Sequence, residues 1–234
     1  MRCEFLITGS SGFVGSYLKK KIRNSVNIYN ETELDKNNIK CDLTNSRETF
    51  ELINKYKPLN IFHLAGKVDP SKNEDDKVDA YNKNYITTLN IINTIKKLDL
   101  NCHIIFLSTD KVYDEINTYP SEVDNLSDQY FYAKLKIKSE NLIIKNVRKY
   151  HILRVPIIHS FGDYNSSSFI DKSIINIRNN INIHVYENIY RSFVDVNDLT
   201  EIMVQIINKD KYGIYNVGSS KYSYYERLIY LFNL

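Results

Sequence analysis

Short apolar runs alternate with longer amphipathic stretches through the first two thirds of the chain. Six runs have the length and side-chain types of β-strands: "CEFLITG", "VNIYN", "IKC", "NIFHLAG", "CHIIFLST" and "YHILRVPII". Helical spacing fills residues 13–23, 46–56, 78–98 and 132–146 between them. Because strands joined by crossover helices pair in parallel, the pattern predicts an α/β fold with a doubly wound parallel sheet.

The alternation weakens beyond about residue 160. A polar loop, "SFGDYNSSSF", precedes a helical pattern, two strand-like pieces, "NIHVYE" and "RSFVDV", and a helix that we expect Asn197 or Asp198 to cap. "GIYNVGS" follows as one more strand. We therefore predict a main domain over residues 1–160 and a small C-terminal lobe over residues 161–234, interleaved with the sheet at the carboxyl edge where such sheets bind ligands.

Charge and composition restrict the partners. The chain has 31 Lys and Arg against 28 Asp and Glu, and its lysines are scattered, which argues against a nucleic-acid partner. Without an apolar run of ~18 residues or a signal-peptide pattern, we expect no membrane association and a cytoplasmic location. Cys3, Cys41 and Cys102 are far apart and odd in number, which predicts reduced thiols and no metal site.

Three of the seven glycines lie in "TGSSGFVGSYL", between the first predicted strand and the first predicted helix. A helix that begins directly after a strand offers backbone amides and the positive end of its dipole to an anion. Gly9 permits a tight turn, Gly12 permits a pyrophosphate to approach the backbone, and Gly15 lets the helix pack closely on the strand. The segment predicts a dinucleotide-binding turn.

Tyrosine and lysine four residues apart on a helix share one face, so the ammonium group can influence the phenol. A nearby cation lowers the pKa of a phenol, which would make the tyrosine a usable proton donor near neutrality. Spacing alone does not choose among the three pairs of the chain: Tyr17 with Lys21, Tyr130 with Lys134, and Tyr132 with Lys136.

Eight segments together resemble the extended short-chain dehydrogenase/reductase superfamily, specifically the NAD-dependent epimerase/dehydratase family. They are "TGSSGFVG", "CDLTN", "HLAG", "NYITTLNII", "LSTDKVYD", "YAKLKIKSEN", "RSFVDVNDL" and "GIYNVGSS". The resemblance covers essentially the whole chain, and the motifs are closest to those of dTDP-4-dehydrorhamnose reductase-like sugar-nucleotide reductases. It implies a Rossmann-type domain over residues 1–160 that binds NAD or NADP, and a substrate-binding lobe over residues 161–234.

The resemblance also selects the catalytic pair. "YAKLKIKSEN" matches the family pattern from Tyr132 through Lys136 to Glu140, whereas a start at Tyr130 puts lysine in place of the glutamate. Tyr132 would donate the proton, Lys136 would also hold the nicotinamide ribose, and Thr109 fills the family's catalytic Ser/Thr position.

Further positions carried over from the family are expected to bind the ligands. The expected coenzyme-binding residues are Gly9, Ser11, Gly12, Phe13, Val14, Gly15, Asp42, Leu43, Leu64, Ala65, Gly66, Asn84 and Lys136. The expected substrate-binding residues are Asp110, Phe169 and Arg191. Asp42 also fits an ordinary helix cap, Arg191 an ordinary surface cation and Phe169 a core residue. NAD and NADP stay undecided, because Asn30 and Glu31 follow the second strand and no arginine is present there.

Asp110 followed by Lys111 lacks the acidic pair of the family's dehydratases. The resemblance therefore implies an enzyme that reduces a nucleotide-activated 4-keto-6-deoxy sugar with NAD(P)H. A nucleotide-sugar 4-epimerase that keeps its NAD bound is the alternative, and a non-catalytic dinucleotide-binding regulatory subunit is a third interpretation. Family members commonly extend further than this chain, so its substrate lobe is expected to be compact or shortened. A homodimer is a further expectation.

Overall fold

The computed structural model describes residues 2–31, 38–68, 70–114, 119–161, 163, 166 and 168–232. Most of "SFGDYNSSSF" is within these ranges, but residues 162, 164–165 and 167 of this predicted polar loop lie outside them.

A parallel sheet of seven strands, counted in the described ranges, forms the centre of the fold. Its strands are β1 Phe5–Thr8, β2 Val26–Tyr29, β3 Ile39–Lys40, β4 Asn60–His63, β5 His103–Thr109, β6 Lys149–Val155 and β10 Gly213–Asn216. They lie in the order β10-β6-β5-β4-β1-β2-β3, and each pair of neighbours is parallel. The predicted Rossmann-type α/β architecture is confirmed.

Helices cover both faces of this sheet. The helices are α1 Phe13–Lys21, α2 Ser46–Tyr56, α3 Pro70–Asp75, α4 Lys77–Tyr81, α5 Thr87–Lys97, α6 Phe131–Asn146, α7 Phe169–Arg178, α8 Val196–Gln205 and α9 Tyr224–Phe232. One apolar cluster joins the sheet to α2, α5 and α6, and a second joins the opposite face to α1 and α8. The two clusters are the two core layers that a doubly wound sheet requires.

Four short strands lie outside the main sheet: β7 Ile157–His159, β8 Tyr190–Arg191, β9 Phe193–Asp195 and β11 Tyr222–Ser223. β7 pairs in parallel with β9, and β8 pairs antiparallel with β11. A third apolar cluster packs α7 and α9 against Phe193. The division of the chain at residue 160 remains a prediction, and β10 returns from the second part of the chain to pair with β6 in the main sheet.

Three local predictions need correction. The helix predicted over 78–98 is interrupted by a wider, π-helical turn at Asn82–Ile86. "NIHVYE" is not a strand in the described structure: Ile183 and Val185 pack against the third cluster, but no described strand pairs with them. Asp195, rather than Asn197 or Asp198, caps α8, because its carboxylate accepts the amide of Asn197 at 2.7 Å. The sequence periodicity predicts which side chains are buried, but it does not predict which backbone groups form hydrogen bonds.

Two buried histidines lie toward the amino ends of β5 and β6. His103 Nε2 is 2.8 Å from His151 Nδ1, and His151 Nε2 is 2.9 Å from the carbonyl oxygen of Lys211. Two neutral rings satisfy this chain when His103 donates to His151 and His151 donates to Lys211. Burial lowers the pKa of His103 to about 4, helped by His151 and Lys149, and burial also lowers the pKa of His151.

We expect acid to destabilise the protein through this histidine pair. In the unfolded chain both rings gain a proton near their ordinary pKa of ~6.5, whereas folded His103 does so only near pH 4. The unfolded state therefore binds more protons in this window, and the free energy of unfolding should fall by about 2 kcal/mol as pH drops through it. Urea unfolding measures this loss. His103→Gln keeps a donor for His151 and should flatten the pH dependence; an unchanged slope would contradict the prediction.

Candidate active site

Glycine shapes the turn between β1 and α1. Gly9 has a left-handed φ of 67°, and a Cβ there would lie 2.9 Å from the backbone nitrogen of Ala65. A Cβ on Gly15 would lie 2.2 Å from the carbonyl oxygen of Gly9, so α1 packs directly on the turn. Gly12 is the N-cap of α1 and supplies no side-chain cap. The amides that begin α1 therefore lie at the sheet edge, an arrangement that suits an anion.

The other residues expected in this turn differ in exposure. Ser11 and Phe13 are half-buried, whereas Val14 packs in the core layer of α1 and α8. Ser10 fixes the turn to β2, because its amide and its hydroxyl both donate to the carbonyl oxygen of Ile28 at 3.0 Å. The turn is thus held against the carboxyl end of β2.

The segment after β4 lies beside the glycine turn. The Thr8 hydroxyl oxygen accepts the amides of Leu64 and Ala65, each at 3.2 Å, and so joins the ends of β1 and β4. These strands are neighbours, but α1 packs on one face of the sheet and α5 on the other. Connections that diverge in this way open a crevice at the carboxyl edge, where dinucleotides bind in doubly wound sheets.

Asn84 holds the rest of this segment in place. It lies in the π-helical turn and is buried. Its Oδ1 accepts the amide of Lys67 at 3.0 Å, and its Nδ2 donates to the carbonyl oxygen of Lys67 at 3.1 Å. A Cβ on Gly66 would lie 2.7 Å from that Oδ1, so a side chain at residue 66 would displace the asparagine. The missing side chain at Gly66 and the hydrogen bonds of Asn84 therefore fix the shape of this part of the crevice together.

Asp42 and Leu43 follow β3, and their side chains differ in burial and in contacts. Asp42 Oδ1 accepts the amide and the hydroxyl of Thr44 at 2.9 and 2.7 Å. The helix-cap interpretation of Asp42 is wrong, because Asn45 caps α2. Leu43 is 5% exposed and packs in the core, and its carbonyl oxygen accepts from Asn90 at 2.9 Å. Of these two expected adenine contacts, only Asp42 has a half-buried side chain.

Thr109, Tyr132 and Lys136 all lie where β5 ends and α6 begins. Thr109 is the last residue of β5, while Tyr132 and Lys136 are buried one helical turn apart on α6. Lys136 Nζ donates to the carbonyl oxygen of Leu107 at 2.9 Å and is 5.9 Å from the centre of the Tyr132 ring. Burial lowers the pKa of Lys136 to about 8, against the opposing influence of Glu140. The amine therefore remains largely cationic at neutral pH.

The pKa of the Tyr132 phenol is raised, whereas the spacing from Lys136 predicted that it would be lowered. Burial is the first cause that raises this pKa above its ordinary value, and the carboxylate of Asp110 is the second. The lowering expected from Lys136 is absent, because burial and Asp110 both raise this pKa and the lysine does not offset them. The phenol consequently keeps its proton at neutral pH.

The alternative Tyr-x-x-x-Lys pairs lie in other surroundings. The Tyr17 hydroxyl donates to Asp163 at 2.7 Å, and burial is the main cause that raises its pKa to about 12. Lys134 has a side chain that is 51% exposed, and Tyr130 stands outside α6 as its N-cap residue. Only the pair of Tyr132 and Lys136 is buried throughout among the three.

A cavity of about 260 Å³ adjoins this region beyond the ends of β5, β6 and β10. Four cationic side chains and two acidic ones line it: Lys111, Arg154, Arg191 and Lys221 against Asp110 and Asp114. Burial raises the pKa of Asp110, while Lys111 and Arg191 oppose that rise. The excess of cationic side chains suits an anionic ligand.

Phe169 lies apart from this cavity. It begins α7, is 37% exposed, and meets the ring of Tyr224 edge-on with 5.2 Å between ring centres. It is not among the described residues that line the cavity. Its role in packing a nucleotide base remains a prediction, and the alternative of a fully buried core residue does not fit its exposure.

A buried polar network lines one side of the cavity, and no sequence motif predicted it. Arg154 Nη2 donates to Glu140 Oε2 at 2.7 Å, and the Ser108 hydroxyl donates to Oε1 of the same carboxylate. Arg154 Nη1 donates to the Tyr113 hydroxyl at 2.7 Å, which donates to Asn216 Oδ1 at 2.7 Å. The network joins α6, β5, β6 and β10. Its signal in the sequence was an arginine inside the apolar run "YHILRVPII".

No described helix is long and apolar enough to cross a membrane. Across the described ranges, no group of three or more His, Cys, Asp or Glu residues could hold a metal ion. Cys3, Cys41 and Cys102 are free thiols.

Comparisons with known proteins agree with this architecture. CDP-paratose 2-epimerase from Salmonella typhi is 29% identical over 133 residues, which are 50% of this chain and 39% of that protein. dTDP-4-dehydrorhamnose reductase from Aggregatibacter actinomycetemcomitans is 26% identical, with 98% of this chain and 78% of that protein covered.

Among solved structures, dTDP-4-dehydrorhamnose reductase from Bacillus anthracis in complex with NADP superposes with a TM-score of 0.85. It is 22% identical, and 100% of this chain and 80% of that chain are covered, which shows a shared fold. The sequence signature of the NAD dependent epimerase/dehydratase family matches residues 5–218. On this match over most of its length, the chain belongs to the NAD-dependent epimerase/dehydratase family.

Proposed function

We propose that this protein is an NAD(P)-dependent enzyme that reduces the keto group of a nucleotide-activated 4-keto-6-deoxy sugar. The observation that carries the proposal is that Tyr132 and Lys136 are both buried one turn apart on α6, while Asp110, directly after Thr109, lines the cationic cavity. The family to which the chain belongs is NAD dependent, and the Bacillus anthracis structure contains NADP.

The crevice residues fit a dinucleotide. The spaces that a Cβ would fill at Gly9 and Gly15 let α1 begin close to β1 and β4, so the amides near Gly12 can bind a diphosphate. Asp42 is the candidate for the adenine end, and Lys136 for the nicotinamide ribose. When bound, the reduced coenzyme supplies the hydride.

The residues of the chain supply the proton and hold the reacting oxygen. The raised pKa of Tyr132 keeps its proton in place until a carbonyl oxygen gains negative charge and can accept it. Thr109 Oγ1 accepts the amide of Lys111 at 3.3 Å, and its hydroxyl hydrogen-bonds the side chain of Asp110. In the proposed reaction this hydroxyl turns to the same substrate oxygen. Arg191 and Lys221 are suited to the diphosphate of the nucleotide sugar.

Residue identity at the end of β5 favours reduction over dehydration. Elimination needs an acid and a base, and Lys111 stands where the dehydratases carry the second carboxylate. The reductase from Aggregatibacter actinomycetemcomitans aligns with 98% of this chain and supports the same choice. The Salmonella relative is an epimerase, and it supports the alternative of a nucleotide-sugar epimerase that keeps NAD bound.

Coenzyme consumption separates these functions. Purified protein is mixed with a dTDP-linked 4-keto-6-deoxy sugar and either NADH or NADPH. We expect one reduced coenzyme to be oxidised for each reduced sugar formed, measured by near-ultraviolet absorbance and mass spectrometry. A change of stereochemistry without net coenzyme consumption would favour the epimerase. Coenzyme binding without turnover across a panel of nucleotide sugars would favour the regulatory subunit.

A further inference from the structure

A carboxylate from a distant part of the chain meets the first turn of α6, the helix that carries Tyr132. Glu74 Oε1 accepts the amide of Phe131 at 2.7 Å. Glu74 lies in α3 and Phe131 is the first residue of α6, so this hydrogen bond joins segments 57 residues apart in the sequence. Tyr132 directly follows Phe131. The contact is therefore one residue away from the proposed proton donor.

The start of α6 has no local cap in the described structure. Helices leave the amides of their first turn without partners inside the helix, and Ser, Thr, Asp or Asn commonly accepts them from the N-cap position. Tyr130 occupies this position, but its side chain does not cap the helix, and the centre of its ring is 5.3 Å from Lys111 Nζ. The first turn of α6 also has no acidic residue. Glu74 therefore supplies from α3 the acceptor that the sequence around Tyr130 does not.

The Glu74 carboxylate carries a negative charge at this helix end. The hydrogen bond from the Phe131 amide is the first cause that lowers the pKa of Glu74; burial opposes this shift, and Lys77 adds to it. Lys77 Nζ is 3.3 Å from Glu74 Oε2 and 5.6 Å from the centre of the Phe131 ring. An ionised carboxylate at the N-terminal end of a helix is favourable, because the helix dipole is positive there.

Other contacts hold α6 at later turns. Lys136 Nζ donates to the carbonyl oxygen of Leu107 at 2.9 Å, and the Ser139 hydroxyl donates to the carbonyl oxygen of Asn84 at 2.9 Å. Both contacts lie one helical turn or more after Tyr132. They fix the middle of the helix, and they do not hold its first turn directly.

α3 is itself held firmly beside the crevice. Asn73, the neighbour of Glu74, is completely buried. Its Nδ2 donates to the carbonyl oxygen of Lys67 at 3.0 Å, and its Oδ1 accepts from Asn84 Nδ2 at 2.8 Å. Two adjacent residues of α3 thus bind the segment after β4 and the start of α6. Glu74 consequently holds the first turn of α6 from a fixed support.

We propose that Glu74 is a positioning residue: by binding the Phe131 amide it fixes the first turn of α6 and directs the Tyr132 phenol towards the carbonyl oxygen of the substrate. Glu74 acts through the backbone and transfers no proton itself. This inference rests on the proposed function, in which Tyr132 is the proton donor. A displacement of about 1 Å can lower a rate by roughly 100-fold, so loss of the contact should be measurable in kcat.

Two substitutions of Glu74 should differ in effect. Glu74→Ala removes the acceptor and is expected to lower kcat at least about tenfold, while the dissociation constant of the coenzyme changes less than about twofold. Glu74→Gln keeps an oxygen within reach of the Phe131 amide, although a neutral acceptor binds more weakly, and should keep kcat within about threefold of the wild-type value. Steady-state kinetics with the keto sugar and titration of coenzyme fluorescence give both quantities.

Asp195→Ala is the matched control. Asp195 also accepts an amide at 2.7 Å at the start of a helix, but α8 packs on the face of the sheet opposite to α6. Loss of this cap should lower stability and leave kcat unchanged. An equal loss of kcat in Asp195→Ala and Glu74→Ala would show that general destabilisation is the cause and would overturn the inference.

A double variant tests whether Glu74 acts through Tyr132. When Glu74→Ala is added to Tyr132→Phe, kcat should fall by less than about twofold more, because no phenol remains to be positioned. Losses that multiply in the double variant, or an unchanged kcat in Glu74→Ala alone, would overturn this inference while leaving the proposed function intact.

Hydrogen exchange followed by mass spectrometry tests the contact without turnover. The first-turn amides, in a peptide that spans residues 130–136, should exchange at least about tenfold faster in Glu74→Ala and at the wild-type rate in Asp195→Ala. Equal exchange in the wild-type protein and Glu74→Ala would overturn the inference. Failure of the wild-type protein to reduce any 4-keto nucleotide sugar would instead overturn the proposed function, and the positioning role with it.

Discussion

Tyr132→Phe is expected to lower kcat by roughly 10²–10⁴-fold, the contribution typical of a positioned general acid. The substitution removes the phenolic hydroxyl and retains the ring, which is 4% exposed and packed where α6 meets β5. Coenzyme affinity should change little, because the amides of the glycine turn and Lys136 remain. Steady-state kinetics with the keto sugar, together with coenzyme titration, separates the two quantities.

Tyr130→Phe is the control for this experiment. Tyr130 stands two residues earlier and offers the same spacing to Lys134, but that lysine is exposed. If Tyr132 is the proton donor, Tyr130→Phe should retain nearly full turnover. Full activity of Tyr132→Phe, or a large loss in Tyr130→Phe alone, would mean that the proton comes from elsewhere.

Arg154→Met is expected to destabilise the folded protein by about 3–5 kcal/mol, the cost of leaving a buried charge without its partner. The side chains of Arg154 and Glu140 are 2% and 1% exposed, so water cannot solvate the carboxylate that remains. Loss of Arg154 also removes a donor from the hydroxyl of Tyr113, which lines the cavity. The midpoint and slope of urea unfolding measure the free-energy change.

Two further variants test whether charge or packing causes this loss of stability. In the double variant Arg154→Met with Glu140→Leu, most of the lost stability should return, because an apolar pair replaces the uncompensated charge. Arg47→Met breaks an ion pair whose side chains are 87% and 61% exposed, and it should change stability by less than about 1 kcal/mol. A double variant as unstable as Arg154→Met would show that packing, rather than charge, sets the cost.

The sequence was most informative where local pattern and tertiary structure impose the same requirement. Buried parallel strands read as continuous apolar runs, and the structure forms a strand within each of the six predicted first. The glycine turn was also accessible, because Gly9 needs a positive φ and Gly15 has no room for a side chain. Backbone geometry restricts residue type at these positions.

The errors arose where an outcome depends on partners distant in the sequence. "NIHVYE" has strand-like spacing but no neighbouring strand among the described residues. The pKa of Tyr132 depends on burial and on Asp110, and spacing from Lys136 conveyed neither. Lys83 Nζ is 2.6 Å from Glu31 Oε1, although the two residues are 52 positions apart in the sequence. The pattern of charges along the chain does not predict this ion pair.

The position of β10 in the sheet affects how the chain can fold. β10 pairs along β6 from the register of Gly213 with His151 to that of Asn216 with Arg154. During synthesis on a ribosome, β6 emerges some sixty residues before β10, and β10 is the strand that covers its outer hydrogen-bonding edge. Until then β6 presents unpaired backbone amides and carbonyls to other chains, and an open edge of this kind promotes aggregation. Closure of this edge of the sheet therefore follows the synthesis of β6 and depends on residues 213–216.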